Sequence, residues 1–194
     1  MFNLVDLTDK TILVTGASSG MGKETAILCS KLGAKVILVA RREDKLLNAL
    51  MALEGKGHSY YCFDLNNLNE IESFIKKIIA EKGKVDGLVY SAGITSTRPL
   101  QSLKVDINKA VMDINYFAFV EIIRCITKRN FFKEGMSIVG ISSISAKRGN
   151  QAKTAYCASK AAMDAAIKCM AKELAAKKNK SKFRESGINK NRNI

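Results

Sequence analysis

The sequence predicts an α/β fold, a doubly wound and mostly parallel sheet with helices on both faces. Short apolar runs alternate with segments of helical spacing from about residue 7 to about residue 176. Repeated strand–helix units with short buried strands imply a sheet covered on both sides. The single proline, Pro99, falls in a loop, and no internal repeat or linker divides the chain. At 194 residues, 47% hydrophobic and 26% charged, the chain fits one domain with a sizeable core and is not wholly disordered.

The elements follow in order. Thr11 to Thr15 is a short apolar run that stops at Gly16 and reads as a buried strand. Gly22 to Leu32 carries Ala26, Ile27, Cys29 and Leu32 at helical spacing and ends at Gly33. Lys35 to Ala40 is the second strand, and a charged helix from Glu43 to Leu53 ends before Gly55 and Gly57. Tyr60 to Phe63 is strand-like, Asn69 to Ala80 is amphipathic, and Val85 to Tyr90 is the fourth strand. A long helix is expected over Val105 to Thr127, with Val111, Ile114, Ala118, Ile122 and Ile126 as core or helix-pairing positions. Met136 to Ile141 is the fifth strand, and Ala155 to Ala176 is helical. In such a fold a ligand lies beyond the carboxyl ends of the strands, where the strand order reverses.

Composition excludes several roles. Cys29, Cys62, Cys125, Cys157 and Cys169 form neither a CxxC pair nor a metal-like spacing, so they read as free thiols in a reducing compartment. With no signal-like start and no apolar run of membrane length, the expected location is the cytoplasm, away from membranes. The net charge of +14 hints at nucleic acid, but residues 177–194 hold seven Lys or Arg against Glu185 alone. No nucleic-acid motif accompanies the charge, and no such partner is expected. The one histidine, His58, reads as a strand-edge residue, and Cys157 as a packed thiol.

Three groups of residues carry chemistry. The first strand runs into Gly16, Ala17, Ser18, Ser19, Gly20, Met21 and Gly22. Glycines between a first strand and a first helix allow a tight turn whose helix N-terminus faces a phosphate, although a plain glycine turn has the same text. The second strand ends at Arg41 and Arg42 where dinucleotide folds often place an acid. That charge suits a ribose 2′-phosphate and favours NADP over NAD, or else caps a solvated helix start. Asp64, followed by Leu65, leaves the third strand and can reach an adenine amino group or cap a helix. The strongest signal is Ser143, Tyr156 and Lys160. Tyr156 and Lys160 share a helix face at i and i+4, and an ammonium near a phenol favours the phenolate. Such a tyrosine exchanges a proton with a carbonyl or alcohol oxygen, and Ser143 can hydrogen-bond the same oxygen.

These residues, from about Leu7 to Ala176, resemble the short-chain dehydrogenase/reductase family, whose Rossmann-like fold binds a nicotinamide cofactor. The glycine motif falls on Gly16, Gly20 and Gly22, and the family's catalytic Asn, Ser, Tyr and Lys fall on Asn115, Ser143, Tyr156 and Lys160. The resemblance implies Tyr156 as acid/base, Ser143 orienting the carbonyl, and Lys160 binding the nicotinamide ribose and tuning Tyr156. It implies that Asn115 bends its helix and helps to hold a water. It further implies NADP contacts from Ser18, Ser19, Met21, Arg41, Arg42, Asp64, Leu65, Ser91, Ala92, Gly93, Tyr156 and Lys160, a small carbonyl or alcohol substrate, and a homo-oligomer. Within the family the resemblance leans toward 3-oxoacyl-carrier-protein reductase-like or general ketone reductase members. One departure is visible: the usual Asn-Asn-Ala-Gly is Tyr90, Ser91, Ala92 and Gly93.

The resemblance stops after Ala176. Residues 1–176 read as the NADP-binding domain, incomplete at its C-terminus, and 177–194 as a basic, disordered tail without strand or helix periodicity. Written in codons and read one base later, that tail can be rendered as family-like text, Ile-Arg-Val-Asn and then Ser-Pro-Gly, so a single-base shift near the Lys177 and Lys178 codons is expected in the gene. On this expectation the sheet ends at the fifth strand with an exposed edge. The chain as written is then nearly inactive, and the alternative to an enzyme is an inactive remnant or cofactor-binding scaffold.

Overall fold

A computed structural model describes residues 5–128 and 130–176 and the backbone of Lys182–Ser186. The chain alternates β1 (Thr11–Thr15), α1 (Gly20–Lys31), β2 (Lys35–Ala40), α2 (Glu43–Met51), β3 (Ser59–Cys62), α3 (Ile71–Lys82) and β4 (Val85–Tyr90). It continues with α4 (Val105–Met112), α5 (Ala118–Ile126), β5 (Phe132–Ile141), α6 (Thr154–Ala176) and β6 (Lys182–Ser186). The sheet is parallel, in the order β3-β2-β1-β4-β5-β6. The order reverses between β1 and β4, so the predicted ligand crevice opens between Gly16 and Ser91.

Alternation along each strand divides the core in two. Leu13, Ile37, Leu88, Tyr90 and Ile138 point toward a layer that includes residues of α3, α5 and α6, among them Ile75, Phe119, Ile122, Met163 and Ile167. Ile12, Val14, Val36, Leu38 and Val89 point the other way, toward Ala26 of α1 and Leu46 and Ala49 of α2. The five positions expected on the long helix, Val111, Ile114, Ala118, Ile122 and Ile126, are all buried.

That long helix is not uniform. Between α4 and α5, residues Asp113–Phe117 form a π-helical turn, which widens the helix by one residue around Asn115. His58 is a strand-edge residue that ties β2 to the loop before β3. Its Nδ1 accepts from the Val36 amide at 3.1 Å, and its Nε2 lies 2.8 Å from the Glu54 carbonyl.

The doubly wound parallel sheet is as expected, and one detail of it is corrected. The sheet does not end at β5, and the tail is not wholly without order, because Lys182–Ser186 runs parallel to β5 with Ser137 opposite Lys182 and Ile141 opposite Ser186. The reason is that an edge strand offers a full row of backbone donors and acceptors, and a ladder can form on it without an apolar pattern in the added segment. The rest of the predicted tail, 177–181 and 187–194, lies outside the described residues.

Candidate active site

The cleft above the strand ends has a volume of about 310 Å³. Among the residues lining it are Gly16, Ser18, Ser19, Met21, Arg41, Arg42, Asp64, Leu65, Ser91, Ala92 and Gly93, all singled out from the sequence. Gly20 and Gly22 are not among the lining residues. Gly16 sits at φ +66°, and a Cβ there would lie 2.7 Å from the Ala92 amide nitrogen. A Cβ on Gly22 would lie 2.4 Å from the Gly16 carbonyl oxygen. The turn therefore closes against β4 only with glycine at both places. The Ala92 amide donates to Thr15 Oγ1 at 3.3 Å, which ties the ends of β1 and β4 together.

The two arginines have different surroundings. Arg42 donates to both Ser18 Oγ and Ser19 Oγ at 3.2 Å, so its guanidinium rests on the glycine turn. Arg41 faces Asp64 at 3.7 Å in an exposed ion pair. Asp64 also accepts from the Asn66 amide at 3.0 Å, so it caps the turn after β3 and lines the cleft at once.

On the catalytic side, Ser143 ends the β5 segment and caps a short 3-10 turn over Ile144–Ala146, accepting from the Ser145 amide at 3.1 Å. Tyr156 is half-buried in the first turns of α6. Lys160 is 5% exposed; its Nζ lies 6.0 Å from the Tyr156 ring centre and donates to the Ile141 carbonyl at 2.6 Å. Burial pushes the Lys160 ammonium down to about 8, against the opposing pull of Asp164. Asp164, buried one turn further on, accepts a hydrogen bond from Ser142 Oγ.

Asn115 is fully buried in the π turn. Its Oδ1 accepts from the Ile94 amide at 2.8 Å, and its Nδ2 donates to the Ile94 carbonyl and to Ser159 Oγ, each at 2.9 Å. Both amide hydrogens therefore go to protein partners. Gly93 makes this contact possible, since a Cβ there would lie 3.1 Å from Asn115 Oδ1 and 3.7 Å from Lys160 Nζ. Gly93 is thus a wall shared by the cleft and Lys160.

Sequence reasoning missed four supporting residues. Ser159 links Asn115 to the Tyr156 carbonyl. Tyr90, where the resembled motif has Asn, sends its phenol to the Ile114 carbonyl at 2.5 Å. Asp164 and Lys153 are the others. Ser159 had a signal in its place beside Lys160, and Tyr90 in its departure from the family's asparagine. Elsewhere Glu72, Glu121 and Cys125 converge, but Lys76, Arg124 and Lys128 all close on Glu72.

Comparison with known proteins agrees with this arrangement. The family model for short chain dehydrogenases matches residues 10–180. The chain is 38% identical over 175 residues to a 3-oxoacyl-(acyl-carrier-protein) reductase of Rickettsia prowazekii, covering 90% of this chain and 70% of that protein. It is 33% identical over 177 residues to dehydrogenase/reductase SDR family member 7B of Danio rerio, covering 87% of this chain and only 57% of the relative. A short chain dehydrogenase of Shigella flexneri, solved in complex with NADP, superimposes with a TM-score of 0.84 at 26% identity, covering 93% of this chain and 77% of that one. The glycine turn at β1, the Ser143–Tyr156–Lys160 group and these matches together place the chain in the short-chain dehydrogenase/reductase family.

Proposed function

We propose that the chain is an NADP(H)-dependent oxidoreductase that interconverts a carbonyl and an alcohol, with Tyr156 handling the proton. The observation that carries this reading is the shared wall at Gly93, which lines the cleft and where an added Cβ would come into van der Waals contact with Lys160 Nζ. The residues present fit a dinucleotide: the Gly16 turn admits a pyrophosphate at the start of α1, and Arg42, carried by Ser18 and Ser19, offers a guanidinium to a ribose 2′-phosphate. Arg41 contributes less, because Asp64 already neutralises it.

The nicotinamide, when bound, supplies the hydride. Tyr156 gives its proton to the carbonyl oxygen as the carbon is reduced, and takes it back in the reverse direction. Ser143 orients that oxygen. Lys160, which donates to the Ile141 carbonyl, places positive charge beside the phenol and would hold the ribose of a bound cofactor. The similarity to a 3-oxoacyl-(acyl-carrier-protein) reductase supports a 3-oxo compound as substrate.

A second reading, a cofactor-binding scaffold without turnover, is favoured by one observation: Val139 and Ile141 of β5 are only half covered. Titration with NADPH and NADH, followed by ketone-dependent NADPH oxidation, separates the two. An enzyme binds NADPH more tightly than NADH, loses that preference by about 10- to 100-fold in Arg42→Ala, and loses about 10²–10⁴ of its turnover in Tyr156→Phe. Cofactor binding without any turnover identifies the scaffold, and equal affinity for the two cofactors removes the role given to Arg42.

A further inference from the structure

Asp164 is a buried carboxylate that the reaction as described does not use. It is the first acid after Glu134, and no ion pair among the described residues neutralises it. A charge so buried is costly unless it is hydrogen-bonded. Its Oδ1 accepts from Ser142 Oγ. Ser142 stands between Ile141, whose carbonyl takes Lys160 Nζ at 2.6 Å, and Ser143, whose Oγ takes the Ser145 amide at 3.1 Å.

Helical spacing puts Tyr156, Lys160 and Asp164 on one face of α6, so that a phenol, an ammonium and a carboxylate follow at successive turns. The exit of β5 meets that face twice, Ile141 at Lys160 and Ser142 at Asp164. The first contact is to backbone and needs no particular residue at 141. The second needs a hydroxyl at 142 and an acceptor at 164. Around Lys160, β5 offers the Ile141 carbonyl, and Gly93 and the Asn115 carboxamide beside it are uncharged. Helix α6 adds the Tyr156 phenol, the Met163 sulfur and Asp164. Burial draws the ammonium down to about 8, and Asp164 is the charge that pulls the other way.

We propose that Asp164 is a positioning residue for the carbonyl–alcohol reaction: through Ser142 it fixes the β5 exit, and with it Ser143, against the Tyr156 helix, and its charge, one turn on from Lys160, holds the ammonium beside the phenol. The role rests on the oxidoreductase reading, because Asp164 acts through Ser143 and Lys160. Without the Ser142 bond, the serine and the tyrosine that share the substrate oxygen are joined at the β5 exit by the Lys160 contact alone. Without the charge, the buried ammonium gives up its proton more readily.

Two variants separate the bond from the charge. Ser142→Ala deletes the bond and leaves the carboxylate, whereas Asp164→Asn removes the charge and keeps an acceptor oxygen for Ser142. In the cofactor-free protein, NMR of lysines labelled at the ε carbon follows Lys160, assigned by its loss in Lys160→Met. Its midpoint is expected to fall by about half a pH unit or more in Asp164→Asn and to stay in place in Ser142→Ala. Amide exchange at Ser145 is expected to quicken in Ser142→Ala. In ketone-dependent NADPH oxidation at pH 7, Ser142→Ala is expected to lose about tenfold or more in kcat with KM for NADPH little changed. Asp164→Asn keeps most of its kcat at pH 7, but the alkaline limb of its profile moves to lower pH together with Lys160. A Lys160 midpoint that Asp164→Asn leaves in place overturns the proposal, and so does a Ser142→Ala with unchanged kcat and Ser145 exchange. A wild type that oxidises no NADPH is a different result: it overturns the oxidoreductase reading, and the cofactor-free titration and exchange then decide Asp164 by themselves.

Discussion

The two ends of the sheet are built differently. At the cofactor end, β1 and β2 are covered on both faces: Val14 and Leu38 are fully buried on the α1–α2 side, and Leu13 and Ile37 nearly so on the other. At the catalytic end, β5 has one dry face, with Met136 and Ile138 buried, and one half-covered face, with Val139 and Ile141 partly exposed. The cradle for a dinucleotide thus rests on a closed core, while Ser142 and Ser143 leave a strand that is closed on one side only. The glycine-turn side and the Tyr156 side of the cleft therefore rest on separable parts of the structure, and each part can be weakened alone.

The largest effect tests that separation. Leu38→Ala removes a side chain that is wholly enclosed at the cofactor end and is expected to cost about 2–5 kcal/mol in urea unfolding. Ile141→Ala removes a larger aliphatic group than Val139→Ala from the half-covered face, yet its cost is expected to stay below about 2 kcal/mol, because part of that surface is already in water. Equal losses at the two sites would mean that both faces of β5 are as dry as those of β2, and the contrast between the ends would vanish.

Charge gives the second contrast, because a cation is buried at the catalytic end. Lys160 titrates at about 8 in the folded protein, against an ordinary 10.5. Between those values the unfolded chain binds the extra proton, so stability rises as pH climbs through the window and the penalty is fully present below it. Asp164 and the Tyr156 phenol are the groups facing this ammonium, and Asp164 already offsets part of the cost. Lys160→Met is expected to be more stable than the wild type by about 3 kcal/mol at pH 7, with the gap closing by about pH 10.5. Comparing unfolding free energies of the two proteins across that range checks it, since other titrations cancel in the difference. A pH-independent gap would show that Lys160 is not held against its own solvation.

How much of this was legible from the sequence depends on the range of each contact. The strands, the glycine turn, the arginine pair and the Tyr156–Lys160 spacing are local, and local patterns of apolarity and spacing express them directly. Thr11–Thr15, Lys35–Ala40 and Val85–Tyr90 fall on the expected residues. What escaped the sequence is long-range. Tyr90 reaches Ile114, Ser142 reaches Asp164 and Lys153 reaches Thr95 across 24, 22 and 58 positions, and nothing in the neighbouring text marks either partner. The β6 segment escaped for another reason. Its pairing with β5 is made by backbone, and Lys182 to Ser186 has no apolar run to announce a strand. The division between Arg41 and Arg42 could not be read either, because it is decided by Asp64 and the serines of the turn, which the fold brings to them.

The smallest expected effect concerns the π turn that joins the two ends. Tyr90, fully buried on β4, donates from its phenol to the Ile114 carbonyl of that turn, next to the asparagine whose carboxamide holds Ile94. Tyr90→Phe keeps the ring against Phe119 but removes this buried hydrogen bond, and is expected to cost about 1–3 kcal/mol. Tyr61→Phe makes the same deletion at the cofactor end, where the phenol bonds Glu81 at the surface, and is expected to cost less than about 1 kcal/mol. Urea unfolding ranks the two, and amide exchange at Ile94 reports whether the loosened turn lets Asn115 go. Protection at Ile94 that is unchanged in Tyr90→Phe would mean that Asn115 is held by Ser159 and Ile94 alone, and that the tyrosine in place of the family's asparagine serves packing, with its hydroxyl idle.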